Sequence, residues 1–246
     1  MNKIAVYQQI LRNTQDWEPY LLQESGLPGP RANLELIQAV AVEGDEALFE
    51  RYLTYDPIQA PTNTPLVFLA VCGIVGMGRL LSEGHPEALV TLRRYASDPR
   101  WRLREGVVIG LQFLGDHDME ALLEAMESWS RGSPLEQRAA AAALCEPRLL
   151  KDAHNARRTL KTLDEITASI ENCLDRKSEA FLALRKGLGY CWSVAVAAEP
   201  ESGQPIMEKW LTNSDKDIHW IMRENLKKDR LRRLDPAWVE MCKVRL

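Results

Sequence analysis

Histidine and cysteine are scarce in this chain of 246 residues, and neither is spaced as metal ligands are. The four histidines are His85, His117, His154 and His219. No two of them stand four residues apart, which excludes the helical histidine pair of zinc proteases. The five cysteines are Cys72, Cys145, Cys173, Cys191 and Cys242. They contain no C-x-x-C pair and are odd in number, so we expect no metal site, no disulfide framework, and reduced thiols in the cytoplasm.

Phosphate-binding and nucleophile motifs are also missing. The sequence contains no P-loop, no dinucleotide-binding glycine fingerprint and no nucleophile elbow. Acidic residues number 35 and are spread along the chain, so no pair of carboxylates is diagnostic of acid–base catalysis. We therefore expect no small-molecule cofactor, and the motifs assign no catalytic residue.

No apolar run is long enough to span a bilayer. The most apolar stretch, Leu66–Gly78, ends at Arg79, well short of the roughly 20 residues that a membrane helix needs. Ala70, Gly73 and Gly76 recur at every third position within it. The stretch therefore predicts a buried helix that a neighbouring helix approaches closely, and no association with membranes.

Positive charge is not in excess. The 31 lysines and arginines are outnumbered by acidic residues, and the formal net charge is −4. Such a chain has no general attraction to nucleic acid, so a nucleic-acid partner would need a local basic face. The hydrophobic share of 46% is enough for a packed core, which excludes global disorder.

Helix-start signals recur along the chain, whereas strand signals are scarce. The clearest start is Ser133-Pro134-Leu135-Glu136, which combines an N-cap serine, a first-turn proline and a capping-box glutamate. Further starts are predicted at His85-Pro86, Asp98-Pro99, Asp116 or Asp118, Pro205 and Asp215. Apolar stripes at helical spacing also occur, and one consists of Leu163, Ile166, Ile170 and Leu174. A second consists of Phe181, Leu184, Leu188 and Trp192, and we expect its helix to be interrupted at Gly187 or Gly189. The short turns between them predict antiparallel helix pairs.

An internal repeat indicates how these pairs are arranged. The segments that begin at Asp98 and at Asp217 share an aspartate, a tryptophan three residues later, and an Arg-Glu dipeptide at Arg104-Glu105 and Arg223-Glu224. This pattern resembles the HEAT repeat, whose units stack into a continuous core. We therefore predict an all-α fold, a right-handed α-solenoid of stacked antiparallel HEAT-like helix pairs. It would form a single domain over residues 1–246, with N-terminal helices in 1–63, central repeats in 64–145 and C-terminal repeats in 146–246.

The late helix carries a more specific resemblance. The stretch from Trp220 to Lys227, with Arg223-Glu224 inside it and Asp235-Pro236 downstream, resembles that of the bacterial HEAT-like DNA alkylation repair proteins, the alkylpurine DNA glycosylases. The resemblance implies that Trp220 packs against a deoxyribose beside a damaged base. It also implies that Arg223 and Lys227 lie on or near the DNA-facing helix.

The catalytic segment of that family is not matched. It has tandem tryptophans followed closely by an aspartate, which stabilises the cationic sugar as the base leaves. The central part of this chain, 138–163, contains no tryptophan. The resemblance therefore implies weak or no glycosylase activity, and any enzymatic activity would be that of a DNA glycosylase acting on alkylated bases.

Two functions from different classes follow. The first is binding of duplex DNA, in particular damaged DNA, on the concave face of the solenoid, with Arg148 and Arg185 joining Trp220, Arg223 and Lys227 as contacts. The second is a protein–protein interaction scaffold without nucleic-acid binding, which the acidic net charge favours. The same basic residues could instead lie on solvent-exposed helix faces and form ion pairs there, without binding any partner. The side chains of Tyr190 and Trp192 either line a groove, where they would stack on a partner, or pack between the layers of helices.

Overall fold

The protein is all-helical. Its structure, a computed structural model, describes residues 2–245, and this part of the chain contains no β-strand. No helix within it is long and apolar enough to cross a membrane. The chain divides into two compact units, the first ending at His117 and the second beginning at Asp118. The predicted subdivision at residues 63 and 145 stays a prediction.

The first unit contains seven helices among its described residues. They are α1 (Lys3–Arg12), α2 (Trp17–Glu24), α3 (Leu34–Glu43), α4 (Glu46–Leu53), α5 (Val67–Ser82), α6 (Glu87–Tyr95) and α7 (Trp101–His117). Odd-numbered helices pack in succession, α1 on α3, α3 on α5 and α5 on α7, while α4 and α6 also pack on α5. The helix α5 is the core of this unit, since every residue from Val67 to Gly78 is buried.

Glycines let the helices around α5 approach closely. A Cβ atom added at Gly76 would lie 2.3 Å from the ring of Phe49 in α4, and one at Gly78 would lie 2.1 Å from the backbone of Gly110 in α7. Real Cβ atoms do not come so close to other atoms, so these contacts require glycine. The predicted close approach to a buried helix is confirmed at Gly73 as well, where a Cβ would lie 2.8 Å from the carbonyl oxygen of Phe49.

The second unit contains eight α-helices and one 3₁₀ turn among its described residues. They are α8 (Met119–Trp129), α9 (Pro134–Leu144), α10 (Ala153–Ser169), the turn Ile170–Asn172, α11 (Glu179–Ala198), α12 (Pro200–Leu211), α13 (Lys216–Leu226), α14 (Asp229–Leu234) and α15 (Pro236–Val244). The helices form two rows of neighbours. In one row α8 packs on α10 and α10 on α12; in the other α9 packs on α11, α11 on α13 and α13 on α15. The central helix α11 therefore contacts both of its row neighbours.

Buried polar groups join the helices of the second unit. Trp192 of α11 is fully buried and donates its indole N–H to the Thr167 hydroxyl of α10 at 3.1 Å. Asn225 of α13 is also fully buried; its Nδ2 donates to the Leu188 carbonyl and its Oδ1 accepts from the Ser193 backbone N–H, each at 2.8 Å. Trp192 is therefore a core residue between α10 and α11 and does not line a groove.

Several predicted helix starts are confirmed. Ser133 and Glu136 form the capping box of α9, Asp118 caps α8, and Asp215 caps α13. Pro205 is not a start: α12 begins at Pro200, whose missing N–H is harmless in the first turn, and it continues through Pro205.

Other local predictions are wrong. The helix after Asp98 begins at Trp101, because the Asp98 carboxylate binds the backbone N–H of Arg100 and holds a turn there. Helix α11 is not broken at Gly187 or Gly189. A Cβ at Gly189 would lie 3.1 Å from the Trp220 ring, so this glycine serves helix packing. Leu174 follows the 3₁₀ turn, which ends its apolar stripe, and its side chain is fully exposed.

Candidate functional site

An open groove of about 830 Å³ crosses the surface of the second unit. It is lined by Pro147, Leu150, Lys151, Val194, Ala197, Ala198, Lys227, Lys228, Asp229, Arg230 and Arg233, and we call it the basic groove. Three separate segments contribute: the loop between α9 and α10, the C-terminal part of α11, and the segment 227–233, which joins α13 to α14 and continues into α14. The sequence distance between these segments means that only tertiary packing brings their side chains together.

Local sequence explains how each segment reaches the groove. Pro147 stands just after the end of α9 and lacks the N–H that would continue the helix, so the chain leaves it as a loop. Ala197 and Ala198 end α11 with small side chains, which leaves open space above them. At the third segment α13 ends at Leu226, and α14 begins three residues later at Asp229. This short interruption carries Lys227 and Lys228 into the lining.

The groove has an excess of positive charge. Four of its five cationic side chains form no ion pair with any carboxylate in residues 2–245, and these are Lys151, Lys228, Arg230 and Arg233. The fifth, Lys227, pairs with Glu224 of α13. Asp229, the acidic residue of the lining, is itself paired with the exposed Arg232. Four uncompensated cations around one depression favour an anionic ligand with several charges.

An exposed aromatic ring adjoins these cations. Tyr190 of α11 is 45% exposed. The Arg230 guanidinium lies 4.7 Å from the centroid of its ring and donates to its hydroxyl, and the Lys228 ammonium lies 5.8 Å from the same centroid. Cation–π contacts of this kind orient long basic side chains that would otherwise move freely in solvent. Tyr190 therefore positions two of the four unpaired cations.

Two residues expected to contact DNA lie at or next to the groove. Lys227 is part of the lining. Arg148 is exposed beside the lining residue Pro147 and pairs with Glu146 at 3.2 Å. Arg223 is exposed, forms no ion pair with the described residues, and stands four positions before Lys227. Because residues four apart share a helix face, the side chain of Arg223 extends the basic face along α13.

The other two expected contacts are engaged with each other. The Arg185 guanidinium of α11 lies 4.5 Å from the centroid of the Trp220 ring in α13. Its Nη1 also donates to the Asp217 carboxylate at 2.6 Å. Arg185 therefore covers one face of Trp220, while Gly189 lies against the ring. A sugar in contact with Trp220 would have to use the remaining exposed part of that ring.

Asp217 belongs to a larger ionic cluster. Its second carboxylate oxygen lies 3.1 Å from Arg176 Nη1, which also binds the N-cap residue Asp215 at 2.5 Å. Hydrogen bonds to Asp215 and then to Asp217 raise the pKa of the Arg176 guanidinium, although burial opposes this. Burial by itself raises the pKa of Asp215, but the hydrogen bonds from Arg176 and from two backbone N–H groups hold it below its usual value. The cluster ties the loop before α11 to the start of α13.

The two aspartates of the internal repeat have different surroundings. Asp98 precedes α7 and binds the Arg100 side chain at 2.9 Å, and its backbone carbonyl accepts from Arg104. Asp217 lies inside α13 and binds arginines from other elements. Asp215, and not Asp217, is the N-cap of α13, while Asp98 holds the turn before α7.

Sequence reasoning missed most of the groove. In the sequence, Lys151, Lys228, Arg230 and Arg233 lie in basic stretches that also contain Asp152 and Asp229, so the pattern does not single them out, and it leaves two interpretations for Tyr190. The dense run from 227 to 233 was the strongest available signal. Whether the cations of this run form ion pairs depends on side chains from distant segments, and a local sequence pattern carries no information about those.

A group of possible metal ligands lies in the first unit. Glu46, His85 and Glu87 place ligand atoms within 4.8 Å of one another, and His85 Nδ1 lies 3.1 Å from a Glu87 carboxylate oxygen. Histidine spacing could not predict this group, because Glu46 comes from a separate helix. The two carboxylates are exposed, and such groups often occur without a bound ion.

Comparison with known proteins adds no further assignment. No protein-family model, no curated protein and no solved structure matches this chain. The function must therefore be inferred from the chemistry of its surface.

Proposed function

We propose that the basic groove binds the phosphate backbone of duplex DNA, within a protein related to the HEAT-like DNA alkylation repair proteins. One observation carries this proposal: Lys151, Lys228, Arg230 and Arg233 converge on one groove without carboxylate partners. Arginine and lysine side chains supply most of the affinity of proteins for duplex DNA by neutralising phosphates. Because the chain as a whole has a net charge of −4, a cluster of unpaired cations does not follow from a generally basic surface.

The proposal includes an α-solenoid of HEAT-like helix pairs. In each unit, helices pack on their next-but-one neighbours along the chain, as α3, α5 and α7 do in the first and α9, α11 and α13 do in the second. Contacts of this order are expected when helix pairs stack on one another. The proposed location is the cytoplasm.

The face of α13 supplies the second part of the proposed interface. Arg223 and Lys227 share a helix face that ends at the groove, and both side chains are exposed. We place phosphates along this face and in the groove, with Arg148 at its edge. Trp220 and Arg185 act mainly as the support of this surface, since the ion pair of Arg185 with Asp217 fixes α11 against α13.

Base excision is not part of the proposal. An excising enzyme needs a carboxylate placed to stabilise the cationic sugar. Asp229, the groove carboxylate, is already paired with Arg232, and no described aspartate stands near tandem tryptophans. We therefore expect the protein to bind duplex DNA with weak or no glycosylase activity.

Fluorescence anisotropy of a labelled duplex tests the proposal. If the four unpaired groove cations alone each neutralise one phosphate, the slope of log affinity against log salt is about −3.6, and each further contact by Arg223, Lys227 or Arg148 makes it steeper by about 0.9. Affinity should then fall by about 150-fold between 50 and 200 mM salt, a range over which counterion release is commonly measured. A duplex with an abasic-site mimic and an undamaged duplex should be compared, since only recognition of damage separates their affinities.

Charge reversal in the groove supplies the specific test. The double variant Lys228→Glu/Arg233→Glu should lose most affinity and make the salt slope shallower by about 1.8, since two phosphate contacts are gone. Lys243→Glu/Arg245→Glu is the matched control with the same change of net charge, because Lys243 and Arg245 are exposed cations outside the groove lining that are paired with Glu240 and Glu208. Equal losses in both variants would contradict a role of the groove. Flat anisotropy at low salt would reject DNA binding and favour the scaffold that binds another protein.

A further inference from the structure

A second, smaller pocket lies in the first unit, which does not contain the basic groove. It has a volume of about 340 Å³, within the range of small-molecule sites. Its lining includes Ala32, Leu34, Val71, Trp101, Val108 and Ile109, together with a few charged and polar side chains. Most of these side chains are apolar, and they come from α3, α5, α7 and the loop before α3. The pocket therefore suits a compact apolar ligand.

Arg102 is a buried charge in this pocket without a carboxylate partner. The residue is only 6% exposed, and it forms no ion pair with the described residues. Its Nε donates to the Thr62 carbonyl at 3.0 Å and its Nη2 to the Gly29 carbonyl at 3.1 Å. Its Nη1 forms no hydrogen bond within residues 2–245. Buried charges are normally paired, so this guanidinium retains the capacity to bind an anion.

Arg100 provides a contrast from the same stretch of chain. It is 3% exposed, and its Nε and Nη2 form a bidentate pair with the Asp98 carboxylate, each at 2.9 Å. Two residues later, Arg102 is also buried but has only carbonyl groups and the Trp101 ring, 4.3 Å from its guanidinium, as partners. The charge of Arg100 is thus neutralised by a carboxylate, whereas the charge of Arg102 is not.

The other charges of the pocket agree with an anionic ligand. Arg31 lines the pocket, is exposed, and forms no ion pair with the described residues. Glu105, the carboxylate of the lining, already has an interaction partner. Trp101 is 44% exposed at the same pocket, which leaves part of its ring available for contact with a ligand.

We propose that this pocket binds a small apolar carboxylate. Its hydrocarbon body would fill the space between Leu34, Val71 and Val108, and its carboxylate would accept hydrogen bonds from Arg102 Nη1, with Arg31 contributing a second positive charge. A hydrogen bond to a charged group contributes more than a neutral one, and the apolar walls exclude competing water. The ligand class follows from these two features together, an apolar volume and one unpaired guanidinium.

Calorimetric titration of the full chain with 2-naphthoate and with its neutral analogue 2-naphthamide tests the proposal. The two probes have the same bicyclic body and differ in charge. We expect the carboxylate to bind at least tenfold more tightly, the factor that corresponds to about 1.4 kcal/mol. Equal affinities would overturn the role of Arg102, and no binding of either probe at about 1 mM would overturn the site.

Two variants locate the binding. Arg102→Gln should abolish the preference for the carboxylate while the affinity for the amide changes little. Ala32→Trp should block both probes, because the new side chain fills the pocket and leaves Arg102 in place. Far-UV circular dichroism checks that each variant is folded; if Arg102→Gln is not, the comparison of the two probes on the unaltered protein still decides. Undiminished binding to folded Ala32→Trp would place the ligand elsewhere.

Discussion

Asn225 is the buried polar residue whose removal should damage the second unit most clearly. It is fully buried in α13, and its carboxamide makes two hydrogen bonds to α11, one to the Leu188 carbonyl and one from the Ser193 N–H. A third bond joins it to the Ile221 carbonyl of its own helix. Asn225→Ala removes all three bonds and leaves groups in α11 without this partner.

The expected loss can be estimated from these contacts. Each buried hydrogen bond contributes about 1 kcal/mol, and an unsatisfied buried group costs about 1–3 kcal/mol. The two bonds between helices therefore correspond to a loss of about 2–4 kcal/mol in the free energy of unfolding. With a urea dependence of about 2 kcal/mol/M, the unfolding midpoint should fall by about 1–2 M.

Urea unfolding followed by far-UV circular dichroism measures this change. Asn225→Leu, which fills a similar volume, should also be strongly destabilised, because the lost hydrogen bonds and not a cavity dominate the effect. The control is Asn172→Ala, since Asn172 is exposed and its side chain has no partner among the described residues. If Asn225→Ala stays within about 0.5 kcal/mol of the parent, the range of ordinary surface changes, the hydrogen-bond account is refuted.

Three further predictions concern packing, pH and thiol chemistry. Gly78→Ala should lower the melting temperature much more than Gly110→Ala. A Cβ at Gly78 would lie 2.1 Å from backbone atoms of Gly110, whereas a Cβ at Gly110 has its nearest neighbour at 3.1 Å. Similar melting temperatures of the two variants would contradict the close contact of α5 with α7. The pKa of Asp215 is held below its usual value despite burial, by Arg176 and backbone N–H groups, so its stabilisation is full above the unfolded pKa of about 3.9 and is lost as pH falls through the folded pKa. The stability difference between the parent and Asp215→Asn should therefore shrink as an acid titration followed by circular dichroism proceeds, and a constant difference would be inconsistent with this shift. Cys173 is half-buried while the other four thiols are buried, so a thiol reagent should label Cys173 first. Cys173→Ser should therefore remove the fast phase of the labelling reaction. A fast phase that persists in this variant would show that another cysteine is accessible.

Local signals in the sequence predicted the helices well where the deciding contacts lie within a few residues. The capping box of Ser133 and Glu136 satisfies backbone groups at its own helix end, and it forms as predicted. The apolar stretch that became α5 is similarly self-contained, since its composition alone requires burial. The predictions failed at Gly189 and at Leu174, where the outcome depends on what a distant helix or turn does.

The sequence by itself therefore determined that the chain is helical, where several of its helices begin, and which helix is buried, because caps and apolar periodicity act over one or two turns. Tertiary structure alone decided which charges remain unpaired. Arg100 and Arg102 are two residues apart and both buried, yet only Arg100 has a carboxylate partner. Lys151 and Arg233 are far apart in the chain, yet they line one groove. Whether a cation is neutralised depends on the carboxylates that packing brings within a few ångströms, and no local pattern of residues contains that information.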